Sequence, residues 1–72
     1  MTIFAIFLFE NGYAFTGEVM NSRGESMDTM DGMENLLMTE TFFSLVGEGT
    51  VTMIRSSEVK AFYIMNKDEG NR

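Results

Sequence analysis

The chain has 72 residues, of which 44% are hydrophobic, and it contains no cysteine, histidine or proline. This length allows one small domain with a marginal core, and the missing side chains exclude disulfides and the usual zinc ligands as extra sources of stability. Eleven acidic and five basic residues give a formal net charge of -6. Because non-specific affinity for nucleic acids comes from lysine and arginine, the composition predicts no generic binding to RNA or DNA.

The first two predicted elements are strands joined by a tight turn. Residues 2–9 form an apolar run of β-forming residues, and Asn11-Gly12 is the strongest short-range signal for a type I′ hairpin turn. Apolar and polar side chains then alternate over residues 13–19, which predicts a half-buried second strand. Gly17 interrupts this strand and predicts a bulge or a sharp bend, where a small sheet curls over.

The N-terminal apolar run also raises the question of a targeting or membrane segment. It is too short to span a bilayer, and it lacks the basic leading segment and the small-residue cleavage site of a signal peptide. We therefore expect no membrane partner and a cytoplasmic location.

Residues 26–38, "SMDTMDGMENLLM", carry apolar residues at helical spacing. Asp31 is followed three residues later by Glu34, which fits a capping box at a helix N-terminus. This segment predicts one or two helical turns that run into a third strand over residues 39–46.

The remaining sequence predicts two further strands and a tail. The "GEG" turn at 47–49 precedes a strand over 50–55, and a short "SSE" turn separates it from a strand over 59–65. Residues 1–66 are therefore expected to form a single domain and residues 67–72 a flexible tail. The fold class is mainly β (α+β): a small five-stranded curled antiparallel sheet or barrel with a short helix between strands 2 and 3.

Catalysis and metal binding have little support in the residue types. Without histidine or cysteine, no serine has an identifiable general base, and we expect no enzyme and no cofactor. One acidic face stands out, formed by Glu25, Asp28, Asp31 and Glu34. Its spacing does not match the alternating ligands of a calcium loop, so it is interpreted as a solvated face and a helix cap, with no metal.

The stretch "IRSSEVKAFYI" at 54–64, taken with the opening hairpin, resembles the Sm-like family of small barrels. That family has an Ile-Arg-Gly turn before its final strand, and Ser56 stands here in place of the glycine. The resemblance implies assembly by pairing the fourth strand of one subunit with the fifth strand of the next. It also implies that Arg55 and Asn35 lie where the family contacts RNA bases. The alternative for Arg55 is an exposed turn residue paired with Glu58 or Asp68.

Three functions follow from these features. The first is a non-enzymatic module that forms a homo-oligomer through strand edges, with Met53, Val59 and Phe62 at the interface. The second is an acidic inhibitor that binds a basic protein surface, by analogy with small phage or mobile-element proteins. The third is a sponge for a small ligand such as a nucleotide, with a pocket between protomers that is lined by aromatic side chains and Arg55. The candidate binding residues are Arg55, Asn35 and Tyr63.

Overall fold

The computed structural model describes residues 2–8 and 14–66, so the Asn11-Gly12 turn and the tail at 67–72 lie outside the described residues. The elements in chain order are β1 (Thr2–Phe7), β2 (Ala14–Met20), α1 (Met30–Thr39), β3 (Phe42–Gly47), β4 (Thr50–Arg55), a 3-10 turn (Ser56–Glu58) and β5 (Ala61–Asn66). The predicted fold class is confirmed: the protein is mainly β, with one short helix between the second and third strands.

The five strands form a single open sheet in the order β4-β3-β2-β1-β5, and every neighbouring pair is antiparallel. β1 lies inside the sheet and pairs on one side with β2 and on the other with β5. Side chains on both of its faces are withdrawn from solvent: Phe4, Ala5 and Ile6 are buried, and Ile3 and Phe7 are partly buried. β4 and β5 therefore form the two ends of the sheet.

β2 changes its pairing partner at Gly17. The residues up to Gly17 pair with β1, and those from Glu18 onward pair with β3. A Cβ atom at Gly17 would lie 2.5 Å from the carbonyl oxygen of Val46, well inside van der Waals contact. Glycine is needed here because the backbone of β3 approaches so closely, whereas its φ lies outside the left-handed region.

Alternate side chains of the sheet point to an inner face that carries the core. The buried residues of this core are Phe4, Ile6, Val19, Phe43, Leu45 and Ile54 from the strands, with Met33 and Leu36 from α1. The ring of Phe62 on β5 lies 6.1 Å from that of Phe4. Helix α1 thus covers the inner face, and we call the opposite side of the sheet the outer face.

The predicted capping box of Asp31 and Glu34 is wrong, because the N-cap of helix α1 lies two residues before Asp31. Thr29 is the N-cap, and its hydroxyl oxygen accepts a hydrogen bond of 2.9 Å from the N–H of Gly32. Asp31 lies in the first turn, where its negative charge interacts favourably with the positive end of the helix dipole. The helix then runs for 10 residues to Thr39, and β3 consequently begins at Phe42 rather than at residue 39.

Candidate assembly surface

The β3–β4 hairpin carries exposed apolar side chains on the outer face. Val51 and Met53 on β4 are 67% and 63% exposed, and Phe42 on β3 is 41% exposed. Met53 is held across the hairpin because the Ser44 hydroxyl donates a hydrogen bond of 3.3 Å to its sulfur. Sequence reasoning singled out Met53 but missed Val51 and Phe42. The alternation in "TVTMIR" places Val51 on the same face as Met53 and was the available signal.

Arg55 closes this apolar surface at the end of β4. Its guanidinium carbon lies 4.8 Å from the centroid of the Phe42 ring, which is its cross-strand neighbour. Among the described residues Arg55 forms no ion pair with Glu58, and Asp68 lies outside them. Arg55 is exposed, as predicted, but it is the last residue of β4 rather than a turn residue, and it forms a cation–π contact with Phe42.

The other end of the sheet presents Tyr63. This side chain on β5 is 49% exposed on the outer face, and its ring lies 5.9 Å from that of Phe7 on β1. One side of the Tyr63 ring thus contacts Phe7 of the same sheet, and the other side is open to solvent. It lies two strands beyond β2, at the opposite end of the sheet from Arg55.

Both end strands have a free edge within the described part of the chain. β4 pairs with β3 along all six of its residues, and β5 pairs with β1 along all six of its own. No described strand pairs with the outer edge of either one. The backbone N–H and C=O groups on those edges are therefore available to another strand.

The three predicted interface residues differ in how much of each side chain is uncovered. Met53 is exposed on the outer face. Val59 and Phe62 are partly buried and pack against the core cluster of their own chain. Of the three, Met53 offers a partner the largest free surface, while Phe62 contributes mainly to this chain's own stability.

Asn35 lies on α1 and lines a cavity of about 230 Å³ together with Arg23 and Glu25. Neither Arg55 nor Tyr63 lines this cavity. The three residues predicted for ligand binding are therefore spread over the helix and the two ends of the sheet.

The acidic residues Glu25, Asp28, Asp31 and Glu34 are all exposed. Glu25 accepts a hydrogen bond of 2.9 Å from the side-chain amide of Asn21 and pairs with Arg23 at 3.1 Å. The Asn21 amide first, and Arg23 second, hold the pKa of Glu25 below its ordinary value. Across residues 2–8 and 14–66, no group of three or more acidic side chains is placed to hold a metal ion.

Comparison with known proteins found no family model, no curated protein and no solved structure that matches this chain. What stands from the Sm-like resemblance is the coarser statement, a small antiparallel sheet of five strands. In the part of the chain that the structure describes, no helix has the length and apolar character needed to cross a membrane.

Proposed function

We propose that this protein is a non-enzymatic assembly module that joins copies of itself through its two edge strands, β4 of one copy to β5 of the next. The observation that carries this proposal is an open sheet whose two free edges are flanked by exposed apolar side chains on the outer face. Free edges form backbone hydrogen bonds with another strand, and apolar side chains beside them add burial.

The two edges lack the features that keep an edge strand solitary. Solitary edges carry proline, bulges or inward-pointing charges that block pairing with another chain. β4, "TVTMIR", has Arg55 as its one charge, and β5, "AFYIMN", has none. Each edge is six residues long, a typical strand length, so each presents a full strand to a partner.

Pairing between different strands fits the strand order better than pairing of β4 with itself. A two-fold contact between two β4 strands would leave both β5 edges uncovered. Head-to-tail pairing covers one β4 edge and one β5 edge at every contact. Such an assembly closes into a ring if the rotation between neighbouring copies allows it. It also makes the outer faces of neighbouring copies continuous.

The size of the domain adds a reason for assembly. A chain of about this length buries only about 60% of its unfolded surface, and its own core supplies only a few kcal/mol. The sequence contains no cysteine for a disulfide. Burying Val51 and Met53 against a second copy would remove their apolar surface from water. This burial stabilises the contact by about 25 cal/mol per Å².

Light scattering coupled to size-exclusion chromatography tests the proposal. The expected result is a mass that is a multiple of the 8.2 kDa chain mass and depends on protein concentration. Because apolar burial and backbone pairing drive the contact, raising the salt concentration should not dissociate it. A single species at 8.2 kDa over the micromolar range would contradict self-association.

The pocket predicted for a small-ligand sponge lies between protomers, and a single chain offers the sponge little support. Neither the cavity beside Asn35 nor a second cavity on the outer face is lined by Arg55 or Tyr63. The acidic side chains Glu18 and Glu48 that line this second cavity favour a basic partner instead.

A further inference from the structure

A groove of about 510 Å³ lies on the outer face where β2 changes its pairing partner. Ile3, Val46 and Met65 supply its apolar wall, and all three are partly buried. Gly17 and Gly47 also line it and contribute no side chains. Its volume is large enough to accept a side chain from outside.

The polar side of the groove is acidic. Glu18 and Glu48 line it from β2 and from the turn after β3, and no basic side chain among the described residues does so. The carboxylate of Glu18 accepts a hydrogen bond of 3.2 Å from the Ser26 hydroxyl, which leaves its remaining lone pairs for another donor. Two carboxylates over an apolar wall, in a chain of net charge -6, favour a cationic occupant with an apolar stem.

We infer that this groove binds an arginine-bearing segment of a basic protein partner. The aliphatic stem of arginine covers apolar surface while its charged end stays near water, which matches the wall of Ile3, Val46 and Met65. A guanidinium donates to one carboxylate in bidentate geometry and has further N–H groups for a second acceptor, so Glu18 and Glu48 both suit it.

The groove does not include the free backbone edges of β4 or β5. A variant that stays monomeric, such as Met53→Lys, therefore still presents it. Failure of self-association and failure of peptide binding are thus separate results.

Fluorescence anisotropy tests the binding directly. The probe is a fluorescein-labelled peptide in which three arginines alternate with alanines, titrated at about 150 mM salt so that long-range charge effects are screened. The double variant Glu18→Gln/Glu48→Gln removes the acidic side of the groove. The matched control Asp31→Asn/Glu34→Gln removes the same two charges from exposed positions on α1.

The expected result is a loss of affinity of about tenfold for Glu18→Gln/Glu48→Gln and less than about twofold for the control. Thr16→Leu, which places a larger apolar side chain at the groove without changing charge, should also weaken binding. Equal losses in the two double variants would show attraction by overall charge and overturn the inference. Displacement of the peptide by an equal concentration of spermidine would likewise overturn it, because any polyamine would then suffice.

Nuclear magnetic resonance gives a second measurement on the unmutated protein, which covers the case in which a variant does not fold. Adding the unlabelled peptide should shift the amide signals of residues 16–18 and 46–48 more than those of α1. Shifts confined to α1, or no shifts at all, would overturn the inference without any substitution.

Discussion

The carbonyl oxygen of Val46 lies so close to Gly17 that a Cβ atom at position 17 would be only 2.5 Å from it. Only glycine fits this position without a shift of the β3 backbone. This contact joins β2 to β3 where β2 leaves β1, so it lies at the centre of the sheet's change of partner. Gly17 and Val46 also line the groove on the outer face.

Gly17→Val should therefore destabilise the protein by more than about 2 kcal/mol, because the added methyl groups force the β3 backbone away. Thr16→Val is the matched control: its side chain is exposed, and we expect a change within about 0.5 kcal/mol. Urea denaturation of both variants at one protein concentration measures the difference. Equal stability of the two variants would contradict the close approach.

The exposed methionines provide a matched pair for the assembly surface. Met53→Lys should dissociate the proposed oligomer, because an ammonium group buried at the contact between two copies has no partner. Met38→Lys makes the same change on α1, where the side chain is 82% exposed, and should leave the mass unchanged. Light scattering measures the mass of both variants. If Met38→Lys were also monomeric, the added charge alone would explain the dissociation, whatever its position. Phe62→Lys is a poor test because Phe62 packs against Phe4 in the core.

The N-cap of α1 can be tested at Thr29. Thr29→Ala removes the acceptor for the Gly32 N–H and should cost about 1 kcal/mol, while Thr29→Ser keeps the oxygen and should cost less. Asp31→Ala loses only a dipole interaction and should cost about 0.5 kcal/mol. Thermal unfolding measures these costs, and amide exchange at Gly32 reports the cap itself. A larger loss of stability for Asp31→Ala than for Thr29→Ala would show that Asp31 caps the helix, as the capping box predicted.

Ser56 carries an unsatisfied polar atom. Its hydroxyl is buried, and no hydrogen-bond partner for it exists among the described residues. Ser56→Ala removes an unpaired group and should raise the stability by up to about 1 kcal/mol. Ser57→Ala, at the exposed neighbour, should change it by less than about 0.5 kcal/mol. Chemical denaturation compares the two, and a clear loss of stability in Ser56→Ala would mean that the hydroxyl does have a partner.

Glu25 should make stability depend on pH. Its pKa in the folded protein lies below the ordinary value of 4.5, through the Asn21 amide first and Arg23 second. A lowered carboxyl pKa stabilises the fold above the unfolded value, and this contribution disappears as the pH falls through the folded value. Arg23→Gln should move the pKa of Glu25 part of the way back to 4.5, since the Asn21 bond remains.

The stability lost in Arg23→Gln should therefore be seen at neutral pH and vanish in acid, where Glu25 is protonated. Arg55→Gln is the control, because Arg55 lies over an aromatic ring, and any loss there should not depend on the titration of Glu25. Nuclear magnetic resonance titration of the Glu25 carboxyl and thermal unfolding across pH measure both effects. An unchanged pKa of Glu25 in Arg23→Gln would rule out the ion pair as a cause.

The strands were the most predictable elements because their signals are local. The predicted strand over 50–55 is confirmed residue for residue, since "GEG" precedes it and a polar turn follows. The alternation within β4 depends only on the two-residue period of a strand, so it was available in the sequence as a signal that Val51, Met53 and Arg55 share one face. Gly17 was likewise visible as an interruption.

Tertiary structure decided which backbone or side chain meets each of these positions. The sequence alone could not show that the carbonyl oxygen of Val46, 29 positions further along, is what requires glycine at 17. Nor could it place Phe62 against Phe4 while leaving Val51 and Met53 uncovered, because burial depends on strand order rather than on hydrophobicity. Strand order comes from pairing between distant segments, so the sheet's two free ends emerge only when all five strands are assembled.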